Sequence, residues 1–151
     1  MKLIAAILLP VTIFAADPTA VTVYKANDLK AFEQKLKPKI DKQKVATEQL
    51  ERWDNHATSV SHREGDGEAE VHETMSDFFF VQTGEATLVT GGKVLTPRTS
   101  APNEIRGPKI EGGEKHKIAA GDVVHIPVKV PHQLLIENGK QFTYFVIKVA
   151  K

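Results

Sequence analysis

Six histidines punctuate a chain of 151 residues: His56, His62, His72, His116, His125 and His132. One of them stands in the run Glu70-Val71-His72. In a β-strand, residues i and i+2 project from the same face, so Glu70 and His72 point together. Five residues after His72, Asp77 opens the apolar run Phe78-Phe79-Phe80-Val81. In a strand, Asp77, Phe79 and Val81 share a face. A carboxylate that leads a buried strand face is costly unless it is paired, hydrogen-bonded or bound to a metal. The chain has no cysteine. That excludes disulfide scaffolds, thiolate zinc sites, iron–sulfur clusters, thiol catalysis and acylation of an N-terminal cysteine.

These residues sit in a segment with the texture of short strands. From about residue 57 onward, short runs alternate apolar and polar positions, and Gly, Pro and Asn punctuate them. The runs 57–62, 69–72, 77–82, 86–90, 93–95, 115–118, 123–126, 133–136 and 141–149 are the predicted strands, and together they indicate an all-β sandwich or barrel. Asn138-Gly139 between two apolar runs is the strongest hairpin signal. The stretch 96–108 contains three prolines and reads as a loop. Upstream, residues 27–53 read as helical, with Asn27 or Asp28 as N-cap. Leu29, Phe32 and Leu36 form one apolar stripe. Pro38 ends or kinks that helix near Lys37, and a second helical piece is expected over 39–50. The many lysines here, from Lys25 to Lys44, read as a solvated face rather than a patch for anionic lipid or polymer. The aromatic run Phe78, Phe79 and Phe80, with Phe142, Tyr144 and Phe145, reads as core packing.

The spacings resemble the two motifs of the cupin superfamily over roughly residues 57–149. Asp77 through Gly84 fits the acid-to-glycine portion of the first motif, and His72 fits its second histidine. The spacing of Gly121, Pro127 and His132 matches the glycine–proline–histidine spacing of the second motif. The resemblance implies a cupin-type double-stranded β-helix, a jelly-roll barrel, with an N-terminal helical extension. It also implies a divalent metal ion (Mn, Fe, Zn or Ni) held by Glu70, His72, Asp77 and His132. The departures are specific. Glu70 stands where the first histidine of the pair belongs, Glu64 where a glycine belongs, and Lys129 and Ile136 where the second motif carries glycine and asparagine. Two imidazoles and two carboxylates favour the harder ions among these and disfavour copper(I). Each residue has an ordinary alternative: His72 as a bonded wall residue, His132 as a turn residue, Asp77 as a turn cap, Glu70 as a surface carboxylate. His62 and His125 are replacement ligands if they face inward. His56 and His116 fall at loop edges. Arg63 and Arg106 read as surface pairs or as holders of an anionic substrate.

Composition narrows the function. Hydrophobic residues make up 41% and charged residues 26%, which is ordinary globular usage. Twenty Lys and Arg against 19 Asp and Glu give a formal net charge of +1, without the basic excess of a dedicated nucleic-acid binder. Lys2, an apolar stretch from Leu3 to Phe14, then Ala15 and Ala16 have the layout of a secretory signal peptide. The run is shorter than the ~20 residues of a membrane span. The expected organisation is therefore a signal peptide over 1–15, a helical extension over 16–55 and a cupin barrel over 56–151, in the periplasm or outside the cell. The expected activity is that of a metal-dependent enzyme of dioxygenase, isomerase or decarboxylase type on a small molecule, with Glu64, Glu73, His62 or His125 as a base. The alternatives are a non-catalytic ligand- or metal-binding module and a structural barrel with a degenerate site. The resemblance also implies a homodimer, in which the long apolar segment 141–149 would need covering if it lay at a sheet edge.

Overall fold

The computed structural model describes residues 20–151. The expected signal peptide and its cleavage position lie outside the described residues. The helix α1 (Ala26–Leu36) ends in a single tight turn over Lys37–Lys39 that contains Pro38. Lys25 occupies the cap position without a side-chain bond, so neither Asn27 nor Asp28 caps the helix. Twelve strands follow: β1 (Val45–Arg52), β2 (His56–Arg63), β3 (Ala69–His72), β4 (Met75–Thr90), β5 (Lys93–Val94), β6 (Arg98–Ala101), β7 (Glu104–Gly107), β8 (Ile110–Glu111), β9 (Glu114–Ala119), β10 (Val123–Ile126), β11 (His132–Leu135) and β12 (Phe142–Ala150). The pairing order is β1-β2-β12-β4-β11-β3-β7-β6; β9 and β10 also pair with β4, and β5 with β8.

The 16-residue β4 joins two antiparallel sheets. Its first half pairs with β10 and β12, and its second half with β9 and β11. The two sheets curl into a jelly-roll barrel. Period-2 alternation then sorts the side chains. Phe79, Val81, Ala86, Leu88, Phe142, Tyr144 and Val146 pack in the barrel core. Phe80, Phe145 and Val60, one position out of phase, pack outside it against Leu29, Phe32 and Leu36 of α1. The stripe expected on the helix is thus its buried face. Leu36 is 1% exposed, and burying such a side chain is worth about 1.5–3 kcal/mol.

Three expectations need correction. The piece expected as helical over 39–50 is largely strand β1, paired with β2 from Val45↔Arg63 to Arg52↔Ala57. The edge of β2 offers this segment a hydrogen-bonding partner, and its alternation suits a sheet with two different faces. The stretch read as a loop over 96–108 contains β6 and β7, which turn through Pro102 and Asn103, the latter with φ 63°. Asparagine tolerates that left-handed conformation. Asn138-Gly139 does form a turn, closed by Lys140 N–H donating to the Glu137 carbonyl at 2.9 Å. It is not a hairpin, because β11 pairs with β3 and β4 whereas β12 pairs with β2 and β4.

Gly84 sits where β4 passes between sheets. Its φ is +75°, and a Cβ there would lie 1.9 Å from the Gln141 carbonyl oxygen. Gly139 has a similar φ of +78° but open space around it. Urea unfolding should therefore separate them: Gly139→Ala is expected to cost about 1 kcal/mol, and Gly84→Ala clearly more, at least about 3 kcal/mol.

Candidate metal centre

Cross-strand pairing assembles the site. On β3, Glu70 lies opposite His132 of β11 on one side and opposite Arg106 of β7 on the other. His72, two residues on, lies opposite Glu104 of β7. Asp77, at the start of β4, lies opposite Lys148 of β12. Residues directly opposite across antiparallel strands have Cβ atoms about 4.5–5.5 Å apart, so each pair is set to interact.

The ligating atoms of Glu70, His72 and His132 lie within 4.8 Å of one another. His72 Nε2 is 3.4 Å from Glu70 Oε2 and 3.2 Å from Asp77 Oδ2. His132 Nε2 is 4.0 Å from Glu70 Oε2 and 3.7 Å from Asp77 Oδ2. Both rings are oriented from behind. Nδ1 of His72 lies 2.6 Å from a Glu104 carboxylate oxygen, and Nδ1 of His132 lies 3.0 Å from the Val130 carbonyl. With a proton on each Nδ1, both Nε2 lone pairs face the carboxylates at the centre. Carboxylate or carbonyl partners behind ligating histidines are the usual means of fixing tautomer and ring orientation at metal sites. The donor chemistry therefore fits a divalent ion held by Glu70, His72 and His132. Asp77, expected in the same set, stands beside both imidazoles but is also held by Lys148, whose Nζ lies 2.9 and 3.2 Å from its two oxygens.

The electrostatics follow from the same contacts. Burial alone would raise the Glu70 carboxyl, but the hydrogen bond from His72 and the charges of Arg106 and His132 hold it well below the usual carboxylate range. Burial likewise opposes ionisation of Asp77, and His72 and Lys148 overcome it. Burial pushes His132 down, toward the neutral ring a metal requires. For His72, burial is outweighed by bonding to Asp77 and Glu70, and the ring is pushed up to about 9. Lys148 Nζ also lies 2.7 Å from His72 Nε2. At that distance a proton cannot sit on both nitrogens along their line. The ring carries it, as the carboxylates favour, or Lys148 donates it to a neutral ring. In both arrangements a cation already covers the lone pair that a metal would use.

Sequence reasoning missed Lys148 and Glu104. Lys148 shares the inward face of β12 with Tyr144 and Val146, and it is the one charged side chain in 142–150. That oddity was the available signal. Glu104 lay hidden in the presumed loop. Arg106, read as a surface pair or an anion holder, donates to Glu70 Oε1 at 2.5 Å. The alternative ligands are not part of the cluster. His62 is fully buried, with Nδ1 2.8 Å from Thr143 Oγ1 and Nε2 3.4 Å from Glu64, on the strand face that Val60 turns toward α1. His125 is exposed and stacked on Phe78 at 4.4 Å. His56 stacks on Trp53. His116 is 3.1 Å from Thr90 Oγ1. Lys129, in the place of the second-motif glycine, has φ 66° and donates its N–H to the His72 carbonyl at 2.7 Å. The turn keeps the conformation that a glycine would favour.

No family model matches the chain, and no curated protein matches it. Solved structures do. A Bacillus halodurans protein superposes with a TM-score of 0.61 at 11% identity, covering 91% of this chain and 86% of its own. A cupin superfamily protein from Desulfitobacterium hafniense gives 0.52 at 13% identity, covering 74% and 82%. The polyketide cyclase RemF from Streptomyces resistomycificus gives 0.51 at 14%, covering 72% and 67%. At these identities the likeness shows the fold, which is a cupin-type jelly roll.

Three outcomes test the centre. Metal binding must displace a proton or the ammonium from His72 Nε2, so affinity for Mn(II) is expected to climb steadily from pH 6.5 to about 9 and then level off. Lys148→Met removes a cation that holds the His72 ring down, so the ring should keep its proton longer and the climb should extend above pH 9, measured by isothermal titration. Glu104→Gln should weaken Mn(II) binding about 10- to 100-fold while the fold is retained, as judged by circular dichroism.

Proposed function

We infer that the chain is an exported metal-dependent enzyme that acts on a small molecule, with a divalent ion held by Glu70, His72 and His132 and with Asp77 in reserve as a further ligand. The observation that carries the reading is the pair of imidazoles fixed from behind, by Glu104 and by Val130, with both Nε2 atoms turned toward the Glu70 carboxylate. The signal-peptide layout supports export to the periplasm or beyond, and the resemblance to cupins supports a homodimer.

A bound divalent ion would supply Lewis acidity toward a substrate oxygen. The protein's own groups supply the rest. Arg106 and His72 hold Glu70 ionised. Glu104 keeps the His72 ring in orientation. Lys148 holds Asp77 ionised beside both imidazoles and offers a proton at Nζ, close to the centre. Of the bases considered from the sequence, His62 is committed to Thr143 and Glu64, and His125 lies on the outer face against Phe78. Lys148 and Asp77, which stand at the centre itself, are the acid–base pair this reading uses. A non-catalytic ligand-binding module is the second reading. It is favoured by the ammonium 2.7 Å from His72 Nε2, which can complete the site without a metal.

The test is the metal content of the protein purified without chelators or an affinity tag, beside His72→Ala/His132→Ala. About one ion per chain, lost in the variant, is expected. A metal-free protein that cannot be loaded with Mn, Fe, Zn or Ni would leave the second reading. Loading should also raise the melting temperature in proportion to the logarithm of free metal, and a chelator should reverse it.

A further inference from the structure

We propose that the cavity beside the metal centre receives a small polyhydroxylated carboxylate. The inference rests on the metal reading in one respect, the neutralisation of Glu70 and Asp77. The cavity has a volume of about 800 Å³, within the range of small-molecule sites. Its floor is Glu70 and Asp77, and three cations surround them: Arg63, Arg106 and Lys148. One wall comes from β1 and β2, with Thr47, Gln49, Ser59 and Ser61 between the apolar Val45 and Ala57, and Gln43 just before β1.

That wall is unusual for the inside of a barrel. The register pairs Thr47 with Ser61 and Gln49 with Ser59, so neutral donors and acceptors stand in rows across two strands. The next strand continues these rows with Tyr144 beside Ser61 and Val146 beside Ser59. Ala46 and Val60, on the opposite face, pack with α1. The alternation thus puts Ala46 and Val60 on the helix side and turns the hydroxyls and amides of Thr47, Gln49, Ser59 and Ser61 toward the cavity between Val45 and Ala57. Thr47 and Ser61 bond each other at 2.8 Å and the Gln49 amide N–H groups donate to the Glu51 and Thr58 carbonyls, which leaves Ser59, the Gln49 amide oxygen and the second hydrogen-bonding capacity of each hydroxyl for a ligand with many hydroxyl groups.

The charges select the second feature. Of the other carboxylates at the cavity, Glu68 is bound by Arg98 at 2.8 Å, and Asp66 accepts the Ile136 N–H at 2.7 Å. A divalent ion offsets Glu70 and Asp77, and the surrounding cations then outnumber the remaining anions. Arg63 keeps guanidinium N–H groups free beyond its bond from Nε to the Tyr144 hydroxyl, and Arg106 keeps others beyond its bond to Glu70. Lys148, once a metal takes His72 Nε2, has donors left over from Asp77. A carboxylate on the ligand supplies the missing negative charge.

A six-carbon series separates the two features. Gluconate and glucuronate carry both hydroxyls and a carboxylate, sorbitol carries only the hydroxyls, and hexanoate only the carboxylate. Isothermal titration into Mn(II)-loaded wild type is expected to show at least one of the hydroxylated acids binding at least about tenfold tighter than sorbitol and hexanoate. Lys148→Met, which keeps the metal, should remove about tenfold of the acid affinity and leave sorbitol unchanged. Ser59→Ala should weaken the hydroxylated ligands and leave hexanoate unchanged. Equal binding across the series, tighter hexanoate, or no binding by a protein that takes Mn(II) would overturn the inference while the metal reading stood. If Mn(II) did not bind but the hydroxylated acids still did, the metal reading would fall and the cavity assignment would stand on its cations and its wall. If neither bound, both would be overturned.

Discussion

Asp77 is 2% exposed at the start of a strand, and an ionised carboxylate cannot remain there uncompensated. Much of the site can be understood as its compensation. The β12–β4 register must bring Lys148 opposite Asp77, since a shift of one residue would put the lysine on the other face and take its ammonium from the carboxylate. His72 must then approach from the end of β3, where it meets Asp77 and Glu70 together. Glu70, partly buried, draws in Arg106 and lies within 4.0 Å of Arg63. The centre is a chain of charges in which each is admitted to the interior by the next.

Much of this was legible in the residues. The acid-to-glycine interval from Asp77 to Gly84 locates a strand that enters buried and leaves through a bend, and Gly84 sits at that bend. The i, i+2 relation puts Glu70 and His72 on one side, as the structure shows. The interval from Gly121 through Pro127 to His132 places the second imidazole in register with Glu70. What the residues concealed depends on pairing between distant segments. Glu104 matters because β7 lies beside β3, and nothing near Glu104 in the sequence points to His72, 32 positions away. Lys148 lies 71 positions from Asp77. Asn138-Gly139 shows the converse. Its local signal for a turn is correct, but the partners of the flanking strands are chosen by the barrel.

The N-terminal segment illustrates the same limit. Its lysines and apolar spacing suit a helix, and as far as Leu36 it is one. Beyond Pro38 the helix reading no longer holds, because β2 offers an unpaired edge and a register that no local propensity encodes. The consequence is functional. Read as helix, residues 39–50 are a solvated extension. As β1, they close one side of the cavity with hydroxyls and amides and place Ala46 against the helix side of the sheet. The lysines of the helix remain outside, with Lys35 and Lys39 reaching Glu48.

The remaining question is what cation the centre prefers. A proton on His72, the ammonium of Lys148 and a divalent ion all answer the same excess of negative charge from Glu70, Asp77 and Glu104. The first two are always available to the protein, which explains how so many carboxylates can be assembled before any metal arrives. They are also weaker occupants, because neither can accept both Nε2 lone pairs and a Glu70 oxygen at once. A divalent ion could, and it would return Lys148 to the cavity as a free donor. On the proposed reading the lysine is a placeholder in one state and a ligand-facing cation in the other, and the same 2.7 Å contact that stabilises the first state would have to be broken to reach the second.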